Sequence, residues 1–160
     1  MIVVDTSVAI KWVVAEDRRA EAREVLASGF LLEAPDLLML EAASALRKKV
    51  RARQIGIDQM NAGIELIRES VGFQTTRVFF DEAMALSAEL DHSIYDCCFL
   101  ACAQSNGALL VTDDVAFAKK CHAGQYGVHV LELAKVPDGG LEQALERVPY
   151  VDPFSRLEAE

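Results

Sequence analysis

The chain begins with Ile2-Val3-Val4-Asp5-Thr6-Ser7, and this stretch decides how the rest of the sequence is interpreted. A run of β-branched residues is typical of a strand. Asp, Thr and Ser favour the first positions of a helix, and Val8, Trp12 and Val13 then follow at helical spacing. The stretch therefore predicts a strand that leads directly into a helix.

The same alternation continues along the chain. We predict further strands over residues 30–32, 74–79, 108–111 and 128–131, and further helices over residues 17–28, 36–53, 58–70, 81–90, 94–105 and 114–120. No two predicted strands are joined directly by a tight hairpin turn. Strands separated by helices predict an α/β fold with a parallel sheet covered by helices on both faces.

Length and composition are typical of a single domain. The chain has 160 residues, 52% of them hydrophobic, which is enough for one buried core. We place the domain at residues 1–135 and a peripheral C-terminal tail at residues 136–160, where Gly139, Gly140, Pro149 and Pro153 interrupt a weak helical pattern. Because the sequence has neither a membrane span nor a signal-type segment, we expect a cytoplasmic protein.

The formal net charge of -9 argues against general, non-specific binding of nucleic acid. Any contact with RNA must then be local, and a basic run on one predicted helix provides candidates. Its Arg47, Lys48, Lys49 and Arg51 could contact a phosphate backbone, although such a run is often only a soluble helix end.

The cysteines and histidines do not form a recognisable metal motif. Cys97, Cys98, Cys102 and Cys121 have no zinc-type spacing and no disulfide pattern, so we predict buried, reduced thiols. A zinc site formed by the last three of these with His122 is the remote alternative. We expect His92, His122 and His129 to be structural or exposed.

Two aspartates stand at the ends of predicted strands. Asp5 ends the first strand, and Asp114 follows Leu109-Leu110-Val111-Thr112-Asp113. Either could simply cap the next helix. In an open parallel sheet, however, ligands collect beyond the carboxyl ends of the strands, so the two acids can share one cation there.

Two further acids lie on helices. Asp96 interrupts a segment over residues 94–103 that is apolar nearly all round, where a charge needs a partner, although it could also cap its helix. Glu41 lies on the rim of the apolar stripe of its helix and, taken alone, is more often a solvated residue.

The ordered set resembles the PIN-domain family, and most closely its VapC-type toxins. The resemblance rests on Val3-Val4-Asp5-Thr6-Ser7-Val8, an acid on the helix after Pro35-Asp36, Tyr95-Asp96 at the start of a small-residue helix, and Val111-Thr112 with Asp114. It implies a three-layer sandwich with a parallel sheet of about five strands. It also implies a metal-dependent endoribonuclease that is a homodimer and pairs with an antitoxin.

By this resemblance Asp5, Glu41, Asp96 and Asp114 are the catalytic and metal-binding acids, and Ser7 and Thr112 are supporting hydroxyls. Oxygen ligands without convergent His or Cys favour Mg²⁺ or Mn²⁺ over zinc, and such a metal would activate the water that hydrolyses RNA. The chain departs from the pattern at Asp113, and we prefer Asp114 as the ligand because of its spacing from Thr112.

Two other functions remain open. A phosphotransferase of the aspartyl-phosphate type also places an Asp after the first strand, but its usual Asp-x-Asp is absent, since Thr6 and Ser7 follow Asp5. A catalytically inactive PIN-like module could instead use the acids to dock a basic partner protein.

Overall fold

The computed structural model describes residues 1–151. Its strands are β1 (Ile2–Val4), β2 (Leu32–Pro35), β3 (Gly72–Gln74), β4 (Leu109–Thr112) and β5 (Val130–Glu132). Its helices are α1 (Thr6–Val13), α2 (Arg19–Ala27), α3 (Leu37–Arg51), α4 (Ile57–Ser70), α5 (Phe80–Leu90), α6 (Ile94–Ser105), α7 (Val115–Ala123) and α8 (Gly140–Leu145). Short 3-10 turns cover Thr76–Phe79, Gly127–His129 and Leu133–Lys135.

The five strands form one sheet in the order β3-β2-β1-β4-β5, and every neighbouring pair is parallel. The predicted α/β fold with a parallel sheet sandwiched by helices is confirmed. The chain builds β2 and β3 on one side of β1 and then crosses to place β4 on the other side. The junction between β1 and β4 is therefore a topological switch point, where crevices for ligands form in open sheets.

The switch point is fixed by an apolar core. All three residues of β1 and the first three of β4 are buried, with Val4 opposite Val111 in the register. The Asp5 amide continues this ladder by donating to the Val111 carbonyl at 3.1 Å. The first acid is thereby held at the end of β1, directly beside the end of β4.

The predicted bounds of β2 and β3 were wrong. Phe30 and Leu31 are exposed, and β2 begins only at Leu32. The predicted strand over residues 74–79 is in fact the end of β3 followed by a 3-10 turn. The turn begins where Asp36 accepts bonds from the amide of Thr76 at 2.9 Å and from its hydroxyl at 2.5 Å, which draws the chain out of the sheet.

Helix α6 packs beneath the sheet and contacts β1, β2 and β4. Its residues from Cys97 to Ala103 are all buried, as the apolar segment predicted. All four cysteines are buried and none is in a disulfide, which confirms the prediction of buried, reduced thiols. Burial raises the pKa of both Cys97 and Cys121 to about 12, so neither thiol is activated for chemistry.

The predicted tail is described only as far as residue 151. Val136 and Leu141 are buried, and Val148 packs against the core. The remainder, residues 152–160, lies outside the described part, so the division at residue 135 stays a prediction. No helix within residues 1–151 has both the length and the apolar character needed to cross a membrane.

Helices α1 and α4 meet at a glycine. A Cβ on Gly63 would lie 2.4 and 2.6 Å from the two γ carbons of buried Val13. We expect Gly63→Ala to lower the free energy of unfolding by about 1–3 kcal/mol because the added methyl overpacks this contact. Chemical denaturation measures the change.

The matched control is the same substitution in a Val13→Ala background. There the methyl has room, and the better helix propensity of Ala should make Gly63→Ala neutral or stabilising by up to about 1 kcal/mol. An equal loss of stability in both backgrounds would show that the packing of α1 on α4 is not as described.

Candidate functional site

A groove of about 680 Å³ lies at the edge of the sheet where the strands end, which we call the carboxyl edge. The structure brings all four predicted acids, Asp5, Glu41, Asp96 and Asp114, to its wall. They arrive from the ends of β1 and β4 and from helices α3 and α6. The wall also contains Thr6, Ser7, Leu40, Lys48, Lys49 and Tyr95.

Asp5 is buried at 8% exposure and is held by two hydroxyls. Thr112 donates to its Oδ2 at 2.5 Å, and Ser7 donates to the same oxygen at 2.7 Å. Both hydroxyls also accept backbone bonds, Thr112 from the Asp114 amide and Ser7 from the Asp113 amide, each at 3.0 Å. These bonds connect the end of β1 to the segment after β4.

Asp114 is the N-cap of α7. Its Oδ1 accepts the Phe117 amide at 2.8 Å, while its Oδ2 faces the groove and lies 3.9 Å from His92 Nε2. One oxygen therefore caps the start of α7, and the other remains for a ligand. The capping alternative and the functional alternative are compatible at this residue.

Asp113 forms ion pairs with two basic side chains. Its carboxylate lies 3.1 Å from the Lys11 ammonium and 2.7 Å from the Arg18 guanidinium. Lys11 is buried at 7% exposure and also lies 3.7 Å from Glu16. Asp113 thus balances a buried cation, and it is not among the residues that line the groove.

Glu41 projects from α3 towards the start of α1. Thr6 donates to its Oε2 at 2.6 Å, a contact between residues 35 positions apart. The bond fixes the direction of the carboxylate and leaves Oε1 without a side-chain partner among the described residues. Sequence reasoning did not single out Thr6, because a residue next to a helix N-terminus has no pattern that points to α3.

Asp96 lies in the first turn of α6 but does not cap it. The N-cap is Ser93, whose hydroxyl accepts the Tyr95 amide at 3.2 Å. Asp96 Oδ2 instead lies 3.0 Å from His92 Nε2, and the side chain is 30% exposed towards the groove. The carboxylate is therefore available to a ligand.

The prediction that His92 is structural or exposed stays a prediction, and the structure places its Nε2 atom 3.0 Å from Asp96 Oδ2 and 3.9 Å from Asp114 Oδ2. The other two histidines agree with it: His122 is exposed, and buried His129 lies with Nδ1 3.1 Å from the Ala108 carbonyl. The zinc alternative finds no support, because within residues 1–151 the group able to hold a metal is His92, Asp96 and Asp114.

The pKa values of Asp5, Glu41 and Asp96 are all raised, with burial as the main cause. Burial raises the pKa of Asp5, and the bonds from Thr112 and Ser7 offset part of the rise. Burial is also the main cause that raises the pKa of Glu41, to which the charges of Asp5 and Asp96 add. For Asp96, burial and the charges of Asp5 and Asp114 raise the pKa against the opposing effect of His92.

This arrangement fits a divalent cation. Within the described part of the chain, no Lys or Arg forms an ion pair with Asp5, Glu41, Asp96 or Asp114. Closely placed, partly buried carboxylates without a basic partner are costly unless a cation joins them. Carboxylate oxygens are the ligands that Mg²⁺ and Mn²⁺ prefer.

The predicted basic residues divide into two pairs. Lys48 and Lys49 line the groove, and Lys49 pairs with Glu16. Arg47 and Arg51 are exposed on α3 but are not among the lining residues. Lys48 is thus the best placed of the four to meet a phosphate beside the acids.

Comparison with solved structures finds the same fold in distant relatives. PAE2754 from Pyrobaculum aerophilum is 21% identical with a TM-score of 0.59, and the alignment covers 92% of this chain and 93% of that one. VapC20 of Mycobacterium tuberculosis, described as a sarcin-ricin loop cleaving toxin, is 20% identical with a TM-score of 0.60, over 74% of this chain and 95% of that one.

A third similar structure is VapBC2 from Rickettsia felis, bound to a DNA fragment from its promoter. It is 13% identical with a TM-score of 0.57, over 82% of this chain and 98% of that one. No curated protein matches the chain in a sequence comparison. The family profile of the PIN domain matches residues 2–123, a span that runs from β1 through α7 and includes all four acids of the groove. The chain therefore belongs to the PIN-domain family.

Proposed function

We propose that this chain is a divalent-metal-dependent endoribonuclease and the toxin of a toxin–antitoxin pair. The observation that carries the proposal is the convergence of Asp5, Glu41, Asp96 and Asp114 on one groove without a Lys or Arg partner within residues 1–151. Membership of the PIN family and the likeness in fold to VapC toxins support it.

In this proposal Asp5, Asp96 and Asp114 hold Mg²⁺ or Mn²⁺. When bound, such a cation supplies positive charge that acidifies water and offsets the charge developing on a phosphate under attack. Thr112 and Ser7 keep the Asp5 carboxylate fixed at the wall of the groove. The preorganised acids need little rearrangement when substrate arrives.

Glu41 is suited to positioning the attacking water. Its Oε2 is occupied by the Thr6 hydroxyl, so Oε1 is the atom that would accept a hydrogen bond from water. A Glu41→Gln protein as active as wild type would exclude this role.

The net charge of the chain, the position of Lys48 and the likeness to VapC toxins support the proposed substrate and partners. A chain of net charge -9 does not bind nucleic acid generally, so Lys48 at the rim of the acidic groove provides a local phosphate contact. RNA is the proposed substrate because the chain resembles the VapC toxins, which implies RNA cleavage, and shares its fold with VapC20, described as a sarcin-ricin loop cleaving toxin. We further propose a cytoplasmic homodimer inhibited by an antitoxin that places an Arg or Lys against the carboxylates.

Cleavage should need both the metal and Asp96. We expect the purified chain to cut total cellular RNA in Mg²⁺ or Mn²⁺, and Asp96→Asn to lower the rate at least about 100-fold because one carboxylate ligand is lost. Mapping of new RNA ends measures the rate and identifies the target. Asp58→Asn, an exposed acid outside the groove, is the matched control and should cut like wild type.

Equal cutting by wild type and Asp96→Asn would indicate a contaminating nuclease. If the metal also failed to stabilise the fold, the chain would instead be a binding module.

Metal should raise stability through the same acids. A ligand that binds only the folded state at 100 times its Kd adds about 2.7 kcal/mol, so we expect Mn²⁺ or Mg²⁺ to raise the Tm of wild type clearly and that of Asp96→Asn little. Without metal, Asp96→Asn should be at least as stable as wild type, since burial and neighbouring charges disfavour the ionised carboxyl. Scanning calorimetry with EDTA as reference measures both. A metal-free Asp96→Asn protein much less stable than wild type would contradict this electrostatic account.

Substitution of the two adjacent aspartates should have different effects, on activity at Asp114 and on stability at Asp113. Asp114→Asn keeps a good N-cap and should lose cleavage at least about 100-fold with little change in stability. Asp113→Asn should keep cleavage but lower the free energy of unfolding by about 2–4 kcal/mol, because the buried Lys11 loses the nearer of its two carboxylate partners and keeps only Glu16. Parallel cleavage assays and urea denaturation test the pair. The reverse assignment of effects would make Asp113 the ligand.

A further inference from the structure

His92 is not among the residues that line the groove, but its imidazole lies beside two of the acids that do. It lies between α5 and α6, after Asp91, whose left-handed backbone with φ 47° ends α5. Its Nε2 atom is 3.0 Å from Asp96 Oδ2 and 3.9 Å from Asp114 Oδ2. The imidazole thus faces the two acids that approach the groove from α6 and from the end of β4.

The ring is held in this direction from several sides. It stacks on Phe117 with ring centroids 4.6 Å apart and an interplanar angle of 16°. The backbone of His92 is bonded at both ends to Ser87, whose carbonyl accepts its amide at 3.2 Å and whose hydroxyl donates to its carbonyl at 2.6 Å. The side chain is only 15% exposed, so its orientation is set by packing.

Phe117 connects this ring to one of the acids. The phenyl ring of Phe117 stacks on the His92 imidazole, and the backbone amide of Phe117 donates to Asp114 Oδ1. The first turn of α7 therefore positions the imidazole and the Asp114 carboxylate together. His92 Nε2 is buried and has no hydrogen-bond partner within residues 1–151, although a carboxylate oxygen of each acid lies near it.

The spacing of the three side chains suits a shared cation. One ligand atom from each of His92, Asp96 and Asp114 lies within 4.8 Å of the other two. Neighbouring ligands around an octahedral ion, bound at about 2.1 Å, are themselves about 3 Å apart. The 3.0 Å separation of His92 Nε2 from Asp96 Oδ2 matches that value.

We propose that His92 supplies a nitrogen ligand beside Asp96 and Asp114, so that this site favours Mn²⁺ over Mg²⁺. The inference rests on the proposed function, which requires a divalent ion at these acids. It changes the oxygen-only ligand set expected from the sequence. Imidazole favours transition metals, whereas Mg²⁺ prefers carboxylate and water oxygens and keeps several waters.

The test compares metal binding by wild type, His92→Gln and the matched control His122→Gln, whose histidine is exposed on α7 away from the groove. Titration calorimetry at mildly alkaline pH gives the Kd for Mn²⁺ and for Mg²⁺. We expect His92→Gln to weaken Mn²⁺ at least about tenfold and Mg²⁺ much less, because the nitrogen ligand matters most to the transition metal. His122→Gln should change neither value.

A spectroscopic measurement on unaltered protein keeps the test independent of folding in the variant. Pulsed electron paramagnetic resonance of the Mn²⁺-loaded wild type should show a nitrogen coupling to the metal, and His92→Gln should lack it. Absence of that coupling in wild type, or equal losses of Mn²⁺ and Mg²⁺ affinity in His92→Gln, would overturn the assignment.

The outcomes also separate this inference from the proposed function. Wild type that binds Mn²⁺ and cuts RNA without a nitrogen coupling would contradict the role of His92 alone and leave the nuclease intact. Wild type that binds neither Mn²⁺ nor Mg²⁺ would overturn both.

Discussion

Mutual repulsion among carboxylates at the carboxyl edge of the sheet is the constraint on which the rest of the structure depends. Asp5, Asp96 and Asp114 come from three segments far apart in the chain and meet in one groove with Glu41. Burial raises the pKa of Asp5, Glu41 and Asp96, and the charges of neighbouring acids raise it further for Glu41 and Asp96. The fold keeps them together because a buried core fixes β1 against β4 and leaves the acids no room to separate.

Hydroxyl and amide groups around the acids fix the orientation of the carboxylates. Thr112 and Ser7 bind one oxygen of Asp5, Thr6 binds one oxygen of Glu41, and an amide of α7 binds one oxygen of Asp114. The second oxygens of Glu41 and Asp114 are left for the groove. Asp113, the neighbour of Asp114, instead neutralises a buried lysine, which explains how two adjacent aspartates can have different roles.

Much of this arrangement could be predicted from the sequence. The β-branched runs of β1 and β4, each ended by an acid, predict both the parallel sheet and the place where the acids meet, because parallel strands end at the same edge. The apolar surroundings of Asp96 predict a carboxylate that needs a partner. The bounds of β2 and β3 could not be predicted, since they depend on the lateral bond between Asp36 and Thr76, which are 40 residues apart.

Thr6 and His92 were missed for a similar reason. Each acts through a contact between separate elements, Thr6 with α3 and His92 with Phe117 and the acids, and hydrophobic periodicity carries no information about such contacts. The central claim is that the acidic wall holds a divalent cation. Anomalous scattering from crystals soaked in Mn²⁺ tests it most directly. A single strong peak, or a pair, enclosed by Asp5, Asp96 and Asp114 is the result predicted here. An ordered acidic groove without any peak at saturating Mn²⁺ would contradict it.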